Sequence, residues 1–205
     1  MAKLKKIFLN YNMTWLRVIL FAVITAVVTA GLNEIRFLND TSFQDIAIAF
    51  ECWFLFAVFI IVNCKTWWEA SLKTFIFFLI SQPLIFLLEV PFEPLGWELF
   101  VLYYPRWFKL TLLTLPGAAI AFLVKKQKWY SVPVLCVATS YLAFVAVMYL
   151  QSVIGHFPHH LISCVFCIAL AVFFILVLFD KKSLRLSSFA VTAAAFAFGL
   201  YYYFH

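Results

Sequence analysis

The chain has 205 residues, of which 66% are hydrophobic and 12% charged, with a formal net charge of +6. A soluble domain is about half apolar and a quarter charged, so this composition excludes a soluble fold: too few polar side chains remain to cover a surface. It also argues against a nucleic-acid partner, because the basic residues fall in short groups between apolar runs, the pattern of membrane topology signals.

A spanning helix needs about 20 mostly apolar residues, and seven stretches qualify. Residues 1–6 are basic and an apolar stretch follows, with Val28-Thr29-Ala30 resembling a signal-peptide cleavage site. We read this segment instead as the first membrane helix, over residues 14–32. The second span is expected over 46–63, the third over 72–90 and the fourth over 108–124. The fifth is expected over 130–154, the sixth over 160–179 and the seventh over 186–204. The fourth is short and carries Pro116-Gly117 near its middle. Residues 91–107, with Pro91, Pro94, Gly96 and Pro105 among aromatics, read as a re-entrant or interfacial segment.

With seven spans, one side of the membrane receives Lys3, Lys5, Lys6, Arg17, Lys65, Lys73, Lys125, Lys126, Lys128, Lys181, Lys182 and Arg185. The other receives Arg36, Arg106 and Lys109. Twelve against three predicts a cytoplasmic N-terminus and an external C-terminus. Omitting the fourth span would move the Lys125–Lys128 group across and spoil the asymmetry. The expected fold is therefore all-α, a polytopic bundle of about seven spans forming one transmembrane domain over residues 1–205. Trp and Tyr at expected span ends, such as Trp67, Trp68, Trp129 and Tyr201, suit the headgroup layer without a ligand. The minimal loops and the preference for Lys over Arg point to a bacterial cell membrane.

Seven spans also permit a plan of three helices, a linker helix and three more, as small transporters use, although no matched pair of prolines marks two halves.

Ionisable residues within spans mark sites, because an intramembrane charge is costly unless it meets a cavity or a partner. Glu51 falls inside the second expected span and Gln44 is seven residues before it, on the same helix face. Gln82 and Glu89 have the same spacing on the third span, with Pro83 loosening the backbone between them. Gln44, Glu51, Gln82 and Glu89 are therefore the expected ligand-binding residues, suited to a cation or a substrate amine. The competing reading pairs the two carboxylates with Arg36, Arg106 or Lys109 at the interface.

His156, His159 and His160 lie in a turn between the fifth and sixth spans, and Tyr149, Ser152 and His156 could share a face. Histidine is zinc-ligand vocabulary, but Pro158 interrupts the run, so a polar turn is the expected reading. Cys164 and Cys167 stand three apart on the sixth span without a second pair and read as small packing residues, as do the other three cysteines. Ser188, Ala190, Thr192, Ala194, Ala195 and Gly199 give the seventh span a small-residue face for close helix approach, inside the molecule or against a partner or second copy over residues 188–199. A sequon occurs at Asn39-Asp40-Thr41 and another at Asn12-Met13-Thr14.

No phosphate loop, nucleophile elbow or zinc-protease helix is present in the sequence, and no cofactor is expected. These features predict a transporter of a small solute or cation, or the substrate-binding membrane subunit of one, surrounded by lipid. The alternative is a non-catalytic membrane partner in assembly, immunity or sensing. A membrane-embedded enzyme using the His and Glu residues is the third reading.

Overall fold

Lipid offers no hydrogen-bond partners, so an apolar chain in a bilayer satisfies its backbone internally as helix. A computed structural model of the protein follows this rule. It is 83% helix with no strand among the described residues. The description covers every residue except Met1, Arg36, Phe37, Asn39, Asp40 and Ala49. The Arg36 pairing and the sequon at Asn39 thus lie outside the described residues.

A short helix α1 (Ala2–Leu9) precedes α2 (Trp15–Asn33). Then come α3 (Ser42–Ile48), α4 (Phe50–Val62), α5 (Trp67–Glu89) and α6 (Trp97–Ala121), which a 3₁₀ turn extends over Phe122–Lys126. Three helices complete the chain: α7 (Ser131–Gly155), α8 (Leu161–Leu178) and α9 (Lys182–Phe204). Seven helical stretches are long and apolar enough to cross a membrane, with α3 and α4 together forming the second, Ser42–Val62.

Two spans differ from the sequence expectation. The second begins at Ser42 rather than near residue 46, because Gln44 and Asp45, polar as they are, continue the helix. The fourth runs over Trp97–Lys126, 30 residues, and absorbs much of the segment expected to be re-entrant. Only Val90–Gly96 separates α5 from α6. Pro105 and Pro116 both lie inside α6, since a helix that has begun tolerates proline in lipid where neighbours supply hydrogen bonds. Thirty residues reach roughly 45 Å, well beyond a ~30 Å hydrocarbon core. The first turns of α6 therefore have length to spare beyond the apolar layer.

The chain forms two compact units. The first comprises residues 1–39 and 56–122. Here α5 packs against both α2 and α6. Its core is aromatic: Phe21 meets Phe77 at 5.1 Å and Phe56 at 5.2 Å between ring centroids. Two helix starts are written in the sequence. Thr14 Oγ1 accepts the Arg17 amide, and Thr66 Oγ1 accepts the Glu69 amide at 3.2 Å. Glu69 reaches back to the Lys65 amide at 2.7 Å, close to the reciprocal arrangement of a capping box. Asn63 ties α1 down, donating to the Phe8 and Phe59 carbonyls and accepting from the Tyr11 amide.

The second unit comprises residues 40–55 and 123–205. Within it α7 packs against both α8 and α9, and α3 packs against α8. Gly199 sits where an added Cβ would lie 3.3 Å from Val147, so α9 approaches α7 closely there. A hydrogen bond of 2.8 Å joins Thr139 to Thr192. Part of the small-residue face of the seventh span thus packs onto α7, while Ala190 and Ala194 remain exposed.

Candidate functional site

The later start of the second span sets Glu51 deeper than the sequence suggested. It stands nine residues from Ser42 rather than about five from the start, or roughly 14 Å along the axis. It is 3% exposed. The second unit places its carboxylate beside the Tyr149 hydroxyl and the Cys167 thiol, with Asp45 close enough to repel it. One oxygen, Oε2, has no hydrogen-bond partner among the described residues. Within the second unit no lysine or arginine among the described residues pairs with Glu51; Arg36, one of the partners expected for it, lies outside the described residues.

Six residues nearer the start of the span, Asp45 accepts from Ser163 Oγ at 2.9 Å and pairs with His160 Nδ1. The His160 ring stacks on Tyr149 at 5.8 Å between centroids. Tyr149 therefore touches both the buried carboxylate and the histidine that meets Asp45. Tyr141 lines the same region and packs on Phe54 at 5.2 Å. The result is two carboxylates, two phenols, a thiol, a hydroxyl and one imidazole, contributed by α3, α4, α7, α8 and the turn between α7 and α8. Its fixed charges are acidic, and His160 is the one basic group among them. Such a set of hard oxygen donors suits a cation or a protonated amine.

The other expected residues have different settings. Gln44 is half-buried on α3. Glu89 belongs to the first unit, ends α5, is 6% exposed and accepts from Asn33 Nδ2 at 2.9 Å. Glu34 and Glu93 stand near it. Burial and the neighbouring Glu93 hold the Glu34 carboxyl above the usual carboxylate range. Gln82 is buried on α5 with Nε2 unpartnered among the described residues, as are the hydroxyls of Thr74 and Ser81. Lys73, counted from sequence as a topology charge, is buried: it pairs with Glu69 and the Met13 carbonyl and lies 5.2 Å over the Trp15 ring.

His156, His159 and His160 lie in the turn between α7 and α8. Among the described residues no group of three or more His, Cys, Asp or Glu converges to hold a metal ion. His160 goes to Asp45 instead. Cys164 and Cys167 both pack in a buried cluster with Ala146; Cys164 donates to the Ala146 carbonyl at 3.3 Å, and Cys167 also contacts Glu51.

The sequence reading missed Asp45, Tyr141, Ser163 and the inward role of Cys167. A signal was present. Ser163 and Cys167 are four apart on one face of α8, His160 immediately precedes that helix, and Tyr141 and Tyr149 lie on α7. Considering the histidines only as a turn and the cysteines only as a pair split that set in two. Comparison with protein families, characterised proteins and solved structures returns no match to this chain.

Proposed function

We propose that the protein transports a small cation or protonated amine, or binds one as the membrane subunit of a transporter, with Glu51 as the charge that receives it. The observation supporting this reading is the setting of Glu51: buried within a spanning helix, one oxygen unpartnered among the described residues, and the acidic Asp45 beside it. An intramembrane carboxylate must be neutralised, paired or hydrated. A permeant cation supplies that pairing, and Tyr149 and Cys167 supply further contacts. Asp45 and His160, nearer the helix end, form the approach. The twelve-to-three division of basic residues supports a cytoplasmic N-terminus in this reading, and the short loops support a bacterial cell membrane.

The test is uptake and binding of methylammonium and of rubidium by the full chain in liposomes. Saturable binding that Glu51→Gln abolishes, while the helical circular dichroism is unchanged, is the expected result. Wild-type protein without saturable binding of either probe, or Glu51→Gln binding as well as wild type, sinks the proposal. Sidedness is tested separately: a thiol reagent applied outside intact cells should fail to label Lys126→Cys.

A second reading, a non-catalytic membrane partner, draws support from the open faces of α6 and α9. Only 22% of the apolar window of each is buried. Co-purification of a stoichiometric second protein, together with a Glu51→Gln variant of full function, would favour it.

A further inference from the structure

A cleft of about 280 Å³ runs between α8 and α9 in the second unit, with Ala143 of α7 at its floor. Its walls are Ile168, Ala171, Val172 and Ile175 on α8 and Phe189, Thr192, Ala193 and Phe196 on α9. It exists because α8 and α9 each pack tightly on α7 and only lightly on each other. The small side chains of Ala143, Ala171 and Ala193 leave the space. Within a membrane, an apolar cleft of this kind is filled by hydrocarbon.

Charge at one end says which hydrocarbon. Lys182, Arg185, Phe189, Thr192 and Phe196 are spaced three, four, three and four apart, so they form one stripe along α9. The last three line the cleft, and the first two continue it beyond Phe189 by roughly 6 Å and 10 Å. Arg185 is held in place there, donating from Nε to the Phe179 carbonyl at 2.6 Å and from Nη2 to the Leu176 carbonyl at 3.1 Å. Gln127 ties the preceding turn to the same end: its side chain donates to the Leu178 carbonyl and accepts the Asp180 amide at 3.0 Å. That contact sets the 3₁₀ turn with Lys125 and Lys126 beside the end of α8. Asp180 is an acid in these stretches, which also carry Lys125, Lys126, Lys128, Lys181, Lys182 and Arg185.

We propose that this cleft is a binding site for one anionic phospholipid, its acyl chain between α8 and α9 and its phosphate at Lys182 and Arg185. Basic pockets between transmembrane helices recognise anionic headgroups in this way. The site uses neither Glu51 nor its neighbours, so it stands independently of the transport reading.

Native mass spectrometry of the full chain, with dioleoyl phosphatidylglycerol and dioleoyl phosphatidylcholine as competing probes, tests it. Preferential retention of one phosphatidylglycerol is expected. Lys182→Gln should weaken that retention about threefold or more. Ala193→Trp, which fills the cleft from an exposed position, should remove it while circular dichroism stays helical. Equal retention of both lipids overturns the proposal, because the headgroup would then carry no recognition. Retention unchanged in Ala193→Trp also overturns it, placing the lipid elsewhere on the surface. A dimer that Ala193→Trp dissociates overturns it in favour of a second copy as the occupant.

Discussion

Glu51 and Glu89 are both glutamates nearly sealed from solvent, yet the two units treat them differently. Glu89 closes α5 at a helix end, where the Asn33 amide donates to it directly. Glu51 lies well inside its span and leaves one oxygen unpartnered among the described residues. The first unit also holds a buried cation, Lys73, and gives it Glu69. The first unit thus gives Glu89 an amide donor and Lys73 a carboxylate, whereas in the second unit one oxygen of Glu51 is left without a hydrogen bond among the described residues. A fully satisfied charged group contributes to structure. A buried carboxylate oxygen left without a hydrogen bond is a cost that persists where function requires it.

The largest expected effect comes from removing the two carboxylates one at a time. Glu51→Gln should lower affinity for methylammonium or rubidium at least tenfold, about 1.4 kcal/mol, with the fold intact. Glu89→Gln should leave affinity within about twofold, because Asn33 can bond a neutral amide nearly as well as a carboxylate. Equal losses in the two variants would erase the distinction between the units.

Lys73→Met sharpens the comparison from the stability side. It removes a buried partner from Glu69 and from the Met13 carbonyl, and should cost about 2 kcal/mol. Thermal unfolding in detergent would register that cost, while cation affinity stays near wild type. An affinity loss without a stability loss would assign Lys73 to the site instead.

The two cysteines of α8 should also part. Cys167→Ala should weaken cation affinity about twofold to threefold, since it removes a polar neighbour of Glu51, a contribution of order 0.5 kcal/mol. Cys164→Ala should leave it unchanged. Identical behaviour of the two variants in equilibrium binding would return Cys167 to a packing role.

The smallest effect concerns Glu34. Its carboxyl is held above the usual range by burial and by Glu93, so the folded state keeps its proton to higher pH than the unfolded chain. By linkage, stability falls as pH rises from the unfolded value through the raised one. Glu34→Gln should flatten the decline in thermal midpoint across that window. A midpoint-against-pH curve identical to wild type would show that neither burial nor Glu93 raises the Glu34 carboxyl.

Much of this architecture was legible from side-chain chemistry alone. Seven apolar stretches dictate seven helices, because hydrocarbon forces each backbone to satisfy itself, and the caps at Thr14 and Thr66 are local hydrogen bonds that need no distant partner. Glu51 and Glu89 stood out because a charge in an apolar run is conspicuous. Less visible were the helix starts. Asp45 and the residues from Trp97 to Trp107 looked like loop by polarity and proline content, but helix propagation adds a hydrogen bond per residue once begun, and it carried both spans outward.

Sequence by itself determined the solvent, the secondary structure and the residues costly enough to matter. Tertiary structure alone decided which of those costs is offset within each unit. Spacing along one helix says which side chains share a face, but not what the next helix sets against that face. Thus Asn33 meeting Glu89, Tyr149 and Cys167 meeting Glu51, and the cleft left where α8 and α9 fail to close over Ala143 all depend on packing between segments far apart in the chain.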